Sequence, residues 1–248
     1  QLSTMKVNNP EFFPILKKIR EISYKAKKTN PPLYEKLNGI FEKHLDRVAD
    51  YFSNLLENTK DEEQKEYRRS SIDSVQANEA RLFCSNNNLS TDFFLLADLS
   101  VHSGKKRLFV YDFKEGVTDT FLVSHGCGPY PWGSDQSKES PVISNMKDSH
   151  CSSIGKYKLG DRGYSNFGAK VKYILYGLDS TNNNSESRTI VFHSWDAITD
   201  YEIFPIGTAE GWGCPAISIN AFNKIDKKIL STNKNVLLWM IKPDDDHI

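Results

Sequence analysis

The apolar residues of this 248-residue chain change their period near residue 85, and that change limits the fold more than any other feature. Before it, Phe12, Ile15, Leu16, Ile19 and Ile22 recur at helical spacing, as do Leu33, Leu37, Ile40, Phe41, Leu45, Val48, Phe52 and Leu55. Asn30-Pro31-Pro32 divides these two helices, because a residue before proline avoids the helical region. Residues 57–70 are almost all charged or polar and read as a solvated helix or loop. A third, shorter helix is expected around 71–84. After residue 90 the pattern is β. Residues 93–100, 107–113 and 117–124 read as strands, with Lys114-Glu115-Gly116 as a hairpin turn between the last two. Further strands are expected at 171–177, 189–193 and 235–241, and a helix at 219–230 with Ile219, Phe222, Ile225 and Ile229 on one side. Residues 128–152 carry Gly, Pro, Ser and Asp and read as a long loop, a kind that is usually functional or mobile in a compact domain. The fold class is therefore α+β, with a helical N-terminal region (1–85) followed by a β-rich domain (86–248).

Charge narrows the function. Lys plus Arg equals Asp plus Glu at 32 each, so no global field attracts nucleic acid or an anionic membrane. Hydrophobic residues at 38% supply a real core, which excludes disorder along the whole chain, while a mean hydropathy of -0.53 implies a very polar surface. The longest apolar runs, 93–97 and 236–241, fall far short of the roughly 20 residues of a membrane helix. No charged-then-apolar leader is read from Gln1 onward.

The most informative segment is Glu210-Gly211-Trp212-Gly213-Cys214-Pro215-Ala216. A cysteine between glycine and proline, just upstream of an expected helix, has the surroundings of a thiolate nucleophile. Glycines let backbone N–H groups approach a substrate, and a helix N-terminus lowers a thiol pKa. The alternative is a buried structural cysteine in a tight turn. A nucleophile needs a base, and six histidines are available: His44, His102, His125, His150, His193 and His247. His44 on a helix and His247 in the acidic tail read as solvated, and His102 sits in a polar turn. His193 ends the apolar strand Thr189-Ile190-Val191-Phe192, where a polar side chain opens toward a cleft. His125 closes the strand ending Leu122-Val123-Ser124 and lines the same cleft or begins a turn. A zinc set of His125, Cys127, His150 and Cys151 lacks any standard ligand spacing. Neither common Gly-rich phosphate loop nor a Gly-x-Ser-x-Gly elbow is present.

VFHSW at 191–195 and GWGCPAIS at 211–218 resemble the catalytic signature of the YkuD-type L,D-transpeptidases. They are closer still to the branch known as the murein L,D-transpeptidase catalytic domain family. LADLSVHSGKKRLFVYDF, FLVSHGCG, SSIGKYKLG and RTIVFHSW extend the likeness, in the family's order, over roughly residues 75 to 241. The resemblance implies a β-rich catalytic fold acting on peptidoglycan stem peptides, with no metal or cofactor. In that family a cysteine attacks the L,D bond between a diamino acid and the following D-Ala and passes the acyl group to an amine on a second stem. With water as acceptor the same site is an L,D-carboxypeptidase. Loss of chemistry would leave a wall-binding protein.

Carried over residue by residue, Cys214 matches the nucleophile and His193 the base and later acid. Ser194 or Gly211 would orient His193 through a backbone carbonyl, and Gly213 and Cys214 would offer N–H groups to the oxyanion. Ser124, His125, Gly126, Ser153, Gly211 and Trp212 are expected to line the substrate cleft, with the 128–152 loop as one wall. Two departures bear on acceptor choice. The family usually has Ser where Gly211 stands, and many members have His and Arg where Trp212 and Pro215 stand. With Cys214 free, three cysteines remain, of which Cys127 and Cys151 flank the long loop as a possible pair. The substrate implies export to the periplasm or cell surface, directed by a targeting segment outside this chain. The sequence leaves the oligomeric state open.

Overall fold

The computed structural model describes residues 5, 12–58, 72, 74–129 and 135–242. They divide into two units, 1–68 and 69–248. In the first, α1 (Phe12–Thr29) and α2 (Pro31–Asn58) pack as a helical hairpin. Asn30 Oδ1 accepts the Leu33 N–H at 3.2 Å, and Pro31 opens α2 where a missing N–H costs nothing. Phe12, Leu16 and Ala26 of α1 and Phe41 and Leu45 of α2 are buried, whereas Ile22 and Leu33 are exposed. His44 is buried, not solvated. Its position one helical turn from Phe41 places it on the same face. There its ring meets Phe12 edge-on at 6.2 Å and Nδ1 receives an Arg47 N–H at 3.1 Å. Most of the polar stretch at 57–70 lies outside the described residues, as does His247.

Among the described residues, the second unit has α3 (Ser74–Asn86) first, followed by eight strands and two more helices. The strands are β1 (Phe93–Asp98), β2 (Leu108–Asp112), β3 (Thr118–Phe121), β4 (Gly155–Tyr164), β5 (Val171–Gly177), β6 (Val191–Ser194), β7 (Ala216–Ile217) and β8 (Val236–Ile241). The helices are α4 (Asp135–Glu139) and α5 (Ile219–Leu230). The strands form one sheet in the order β3-β2-β1-β8-β4-β5-β6-β7. β1 is central and buried throughout, which explains its unbroken apolar sequence. Phe93, Leu95 and Ala97 face a core shared with Ala221, Phe222, Ile225 and Ile229 of α5, while Phe94 and Leu96 face Ala77, Ala80 and Cys84 of α3. Helix α3, expected to belong with the N-terminal region, is thus part of the sheet unit.

β4 was not expected from the sequence. Its residues GKYKLGDRGY carry glycines and charges, and only Tyr157 and Leu159 are buried. A bulge between Leu159 and Arg162 shifts its register against β5.

The functional residues are placed by the way the sheet closes. Residues after β3 continue to the opposite edge. Ser124 N–H donates to Ala216 O at 2.8 Å, Gly211 N–H to His125 O at 2.9 Å and Cys127 N–H to Gly211 O at 2.8 Å. Residues 124–127 therefore flank β7 on one side and β6 flanks it on the other, giving a barrel-like closure. The segment before β4 lies over this seam. Gly126 N–H donates to Ser152 Oγ at 3.0 Å, Ser152 Oγ donates to Gly213 O at 3.3 Å, and Gly128 N–H donates to His150 O at 3.1 Å.

Candidate active site

Parallel pairing of β6 with β7 sets His193 opposite Ala216, two residues beyond Cys214. His193 Nδ1 lies 2.9 Å from the backbone carbonyl of Ser194. A carbonyl only accepts, so Nδ1 carries the ring hydrogen and Nε2 keeps its lone pair. The His193 ring is buried and tilts against Phe167 with centroids 5.4 Å apart. Burial lowers its pKa, outweighing the opposing pull of the Ser194 carbonyl, and Lys172 adds to the lowering. The imidazole is neutral at neutral pH and fit to take a proton. The Ser194 side chain is engaged elsewhere, its Oγ accepting the Ala169 N–H at 2.8 Å.

The Cys214 thiol is half-buried. Its sulfur receives the Val191 N–H at 3.4 Å and lies 3.8 Å from Thr189 O. Burial pushes the thiol pKa up, against the Val191 N–H and the positive charges of Arg188 and Lys172. The expectation that a helix N-terminus lowers this pKa meets a different arrangement: β7 and Ser218 stand between Cys214 and the start of α5. Gly213 has φ +103°, and a side chain there would run into the Cys151 carbonyl. Among the described residues, the Gly213 and Cys214 N–H groups take no intramolecular acceptor, so both can donate to a bound group.

Of the residues expected to line the cleft, Trp212 is exposed at 71%, and its ring stacks on His150 with centroids 4.7 Å apart and planes 20° from parallel. Gly211 is half-buried beside it. Ser124, His125, Gly126 and Ser153 are buried and brace the site from behind. Ser124 Oγ accepts the Ala216 N–H at 3.0 Å, and Ser153 Oγ pairs with Tyr157 Oη at 2.7 Å. A side chain at Gly126 would strike the backbone of 150–152.

His125 belongs to a buried ionic cluster that the sequence did not single out. Arg107 is fully buried and donates to Val123 O from Nε and one terminal nitrogen, and to Val101 O from the other. It also donates to His125 Nδ1 at 2.7 Å, which puts the His125 ring hydrogen on Nε2, 3.3 Å from Glu210 Oε1. Glu210 further takes Ser137 Oγ at 2.7 Å and Lys138 Nζ at 2.5 Å, both from α4. Burial would raise the Glu210 pKa, but His125 and Lys138 together hold it at about 2. Burial lowers His125 to about 4 and Arg107 to about 9. These commitments take His125 out of the zinc set considered above. Among the described residues, no three His, Cys, Asp or Glu side chains are arranged to hold a metal ion.

Cys127 and Cys151 are both buried free thiols, and Cys127 lies close enough to Cys151 to feel its charge. Cys84 lies under the sheet with its pKa pushed up to about 12 by burial. Among the described residues, no helix is long and apolar enough to cross a membrane.

The family model for the L,D-transpeptidase catalytic domain matches residues 59–239. Among solved structures, the helical cell shape determining protein Pgp2 of Campylobacter jejuni aligns at 14% identity and a TM-score of 0.36. The alignment covers 68% of this chain and 56% of that one. A point mutant of the same protein aligns at 13% identity and a TM-score of 0.38 over the same shares. This chain thus spans just over half the length of those chains. No curated protein matches it. The family match takes in every strand but the end of β8, together with the cysteine and histidine whose geometry is given above, and the chain belongs to the L,D-transpeptidase catalytic domain family.

Proposed function

We propose that this chain is a peptidoglycan L,D-transpeptidase working through Cys214 and His193. The observation that carries the reading is the His193 ring, whose Nδ1–H is held by the Ser194 carbonyl so that the basic Nε2 is left to take a proton, on a strand paired with the one that follows Cys214. In the first half-reaction Nε2 takes the Cys214 proton, and the sulfur bonds to the carbonyl carbon of the donor stem's L,D peptide bond. The Gly213 and Cys214 N–H groups receive the oxyanion. The C–N bond then breaks, and the His193 imidazolium gives its proton to the departing D-Ala amine. In the second half-reaction an acceptor amine attacks the thioester, His193 takes its proton, and the Cys214 sulfur leaves. No step calls on a metal or organic cofactor. The substrate sets the workplace, which is the periplasm or the cell surface, and the partners are stem peptides.

The reading is tested on a disaccharide tetrapeptide. Cross-linked dimers from the wild type, and none from a folded Cys214→Ala variant, are expected. Tripeptide as sole product makes the protein a hydrolase of the same fold. No product, together with no covalent carbapenem adduct on Cys214, makes it a wall-binding protein and ends the proposal.

A further inference from the structure

The residue that most tightly joins the pieces of the site is Arg188, just before β6. One terminal nitrogen donates to Ser144 O at 3.1 Å and Ser153 Oγ at 3.3 Å. The other donates to Cys151 O at 2.5 Å and Ser149 Oγ at 3.5 Å. A Cβ on Gly213 would lie 3.2 Å from that second nitrogen, so the guanidinium sits against the backbone of the cysteine motif. Its four acceptors are all neutral oxygens, and among the described residues no carboxylate lies within ion-pair distance of it. A guanidinium keeps its charge at any working pH. The result is a half-buried cation held through both terminal nitrogens by neutral oxygens, against the residue before Cys214, whose sulfur feels its charge.

We propose that Arg188 is a positioning residue with two roles. It clamps the 144–153 segment onto the cysteine motif, and its uncompensated charge favours the anionic forms of the site, the Cys214 thiolate and then the oxyanion. The proposal rests on Cys214 being the nucleophile. Neutral partners are what the second role requires. A carboxylate in the fork would cancel the field, whereas carbonyl and hydroxyl oxygens hold the guanidinium in place and leave its net charge standing. The other charged or titratable groups felt at the sulfur are Lys172 on β5 and Tyr157 on β4, and His193 on β6 is the proposed proton acceptor. Lys172 acts in the same direction as Arg188 and less strongly. Burial keeps the Tyr157 hydroxyl protonated, with its pKa pushed up to about 12, so it brings no negative charge. Gly213 fits the same account: any side chain there would press on the Cys151 carbonyl and the guanidinium that binds it.

The test is the pH dependence of iodoacetamide labelling at Cys214, read by peptide mass spectrometry so that Cys84, Cys127 and Cys151 are scored apart. Arg188→Gln should move the labelling midpoint up by at least about half a unit, which leaves about threefold less thiolate at a given pH. Arg188→Lys keeps the charge without the fork. It should leave the midpoint near that of wild type while amide exchange quickens at residues 149–153. A folded Arg188→Gln protein with an unmoved midpoint overturns the electrostatic role. If Arg188→Gln fails to fold, Arg188→Lys decides: exchange as slow as in wild type overturns the clamp. A moved midpoint in a protein that makes no dimers would refute the transferase reading and leave the role of Arg188 standing.

Discussion

The proposed catalytic pair rests in its neutral forms. Burial lowers the His193 pKa and raises that of Cys214, so at neutral pH the site holds imidazole and thiol, with proton transfer coupled to attack. The sign of the pH dependence follows. The acid limb of kcat/KM for transfer marks protonation of His193 and should lie below the ordinary histidine value of about 6.5. A limb at or above that value would contradict the assignment. Gly213 offers a sharper probe, since φ +103° and the Cys151 carbonyl both exclude a side chain. Gly213→Ala should cut transfer by about 100-fold or more, the usual cost of displacing an oxyanion donor, with little change in donor KM. Near-normal kcat in that variant would place the oxyanion donors elsewhere. As candidates, Cys214 and His193 were marked in the sequence locally, by glycines, a proline and a strand end. Arg188 and Glu210 were not, although both lie within motifs already noted. Their roles depend on partners 35 to 85 positions away, Ser153 and His125 among them, which no local pattern reports.

At the level of elements, apolar periodicity foretold most of the sheet unit. The strand at 171–177 and the helix at 219–230 have the expected bounds, and β1, β2, β3, β6 and β8 fall within or beside their expected spans. β4 escaped because its outer half is exposed and its residues are those of a turn-rich loop. Its β identity comes from pairing with β5 and β8, a tertiary cause. Helix α5 shows the opposite case, a boundary written locally. Ser218 Oγ accepts the Ala221 N–H at 3.1 Å as an N-cap and also donates to Asp200, while Asn220 Nδ2 donates to Asp200 at 2.6 Å. Ser218→Ala should cost about 1–2 kcal/mol, from the lost cap and the lost bond to a carboxylate. Denaturant melts would show this as a lower midpoint with an unchanged slope. A loss below about 0.3 kcal/mol would mean that water replaces the cap without penalty.

For the whole sheet unit, the ionic cluster ties together four parts of the chain that the closure brings into contact. These are Arg107 just before β2, His125 after β3, Ser137 and Lys138 on α4, and Glu210 ahead of the cysteine motif. Two of its members make stability depend on pH in the same direction. His125 titrates at about 4 in the folded protein, below its unfolded value, so the unfolded chain binds its proton first and stability falls as pH drops from about 6.5 through 4. Glu210 titrates at about 2, also below its unfolded value, so its contribution is complete above about 4.5 and is lost as pH falls toward 2. Glu210→Gln removes the anion and leaves Lys138 and the buried Arg107 without it. The expected loss at neutral pH is about 3–5 kcal/mol, the usual result of breaking one side of a buried pair. Because protonation does to the wild type what the substitution does to the variant, the gap between the two proteins should narrow steadily from pH 4.5 toward pH 2. Tryptophan fluorescence isolates this measurement, since all four tryptophans (Trp132, Trp195, Trp212 and Trp239) lie in the unit spanning 69–248. A gap that stays constant down to pH 2 would mean that the Glu210 carboxylate is not the anion holding the cluster, and Asp98, also buried and felt by Arg107, would take its place.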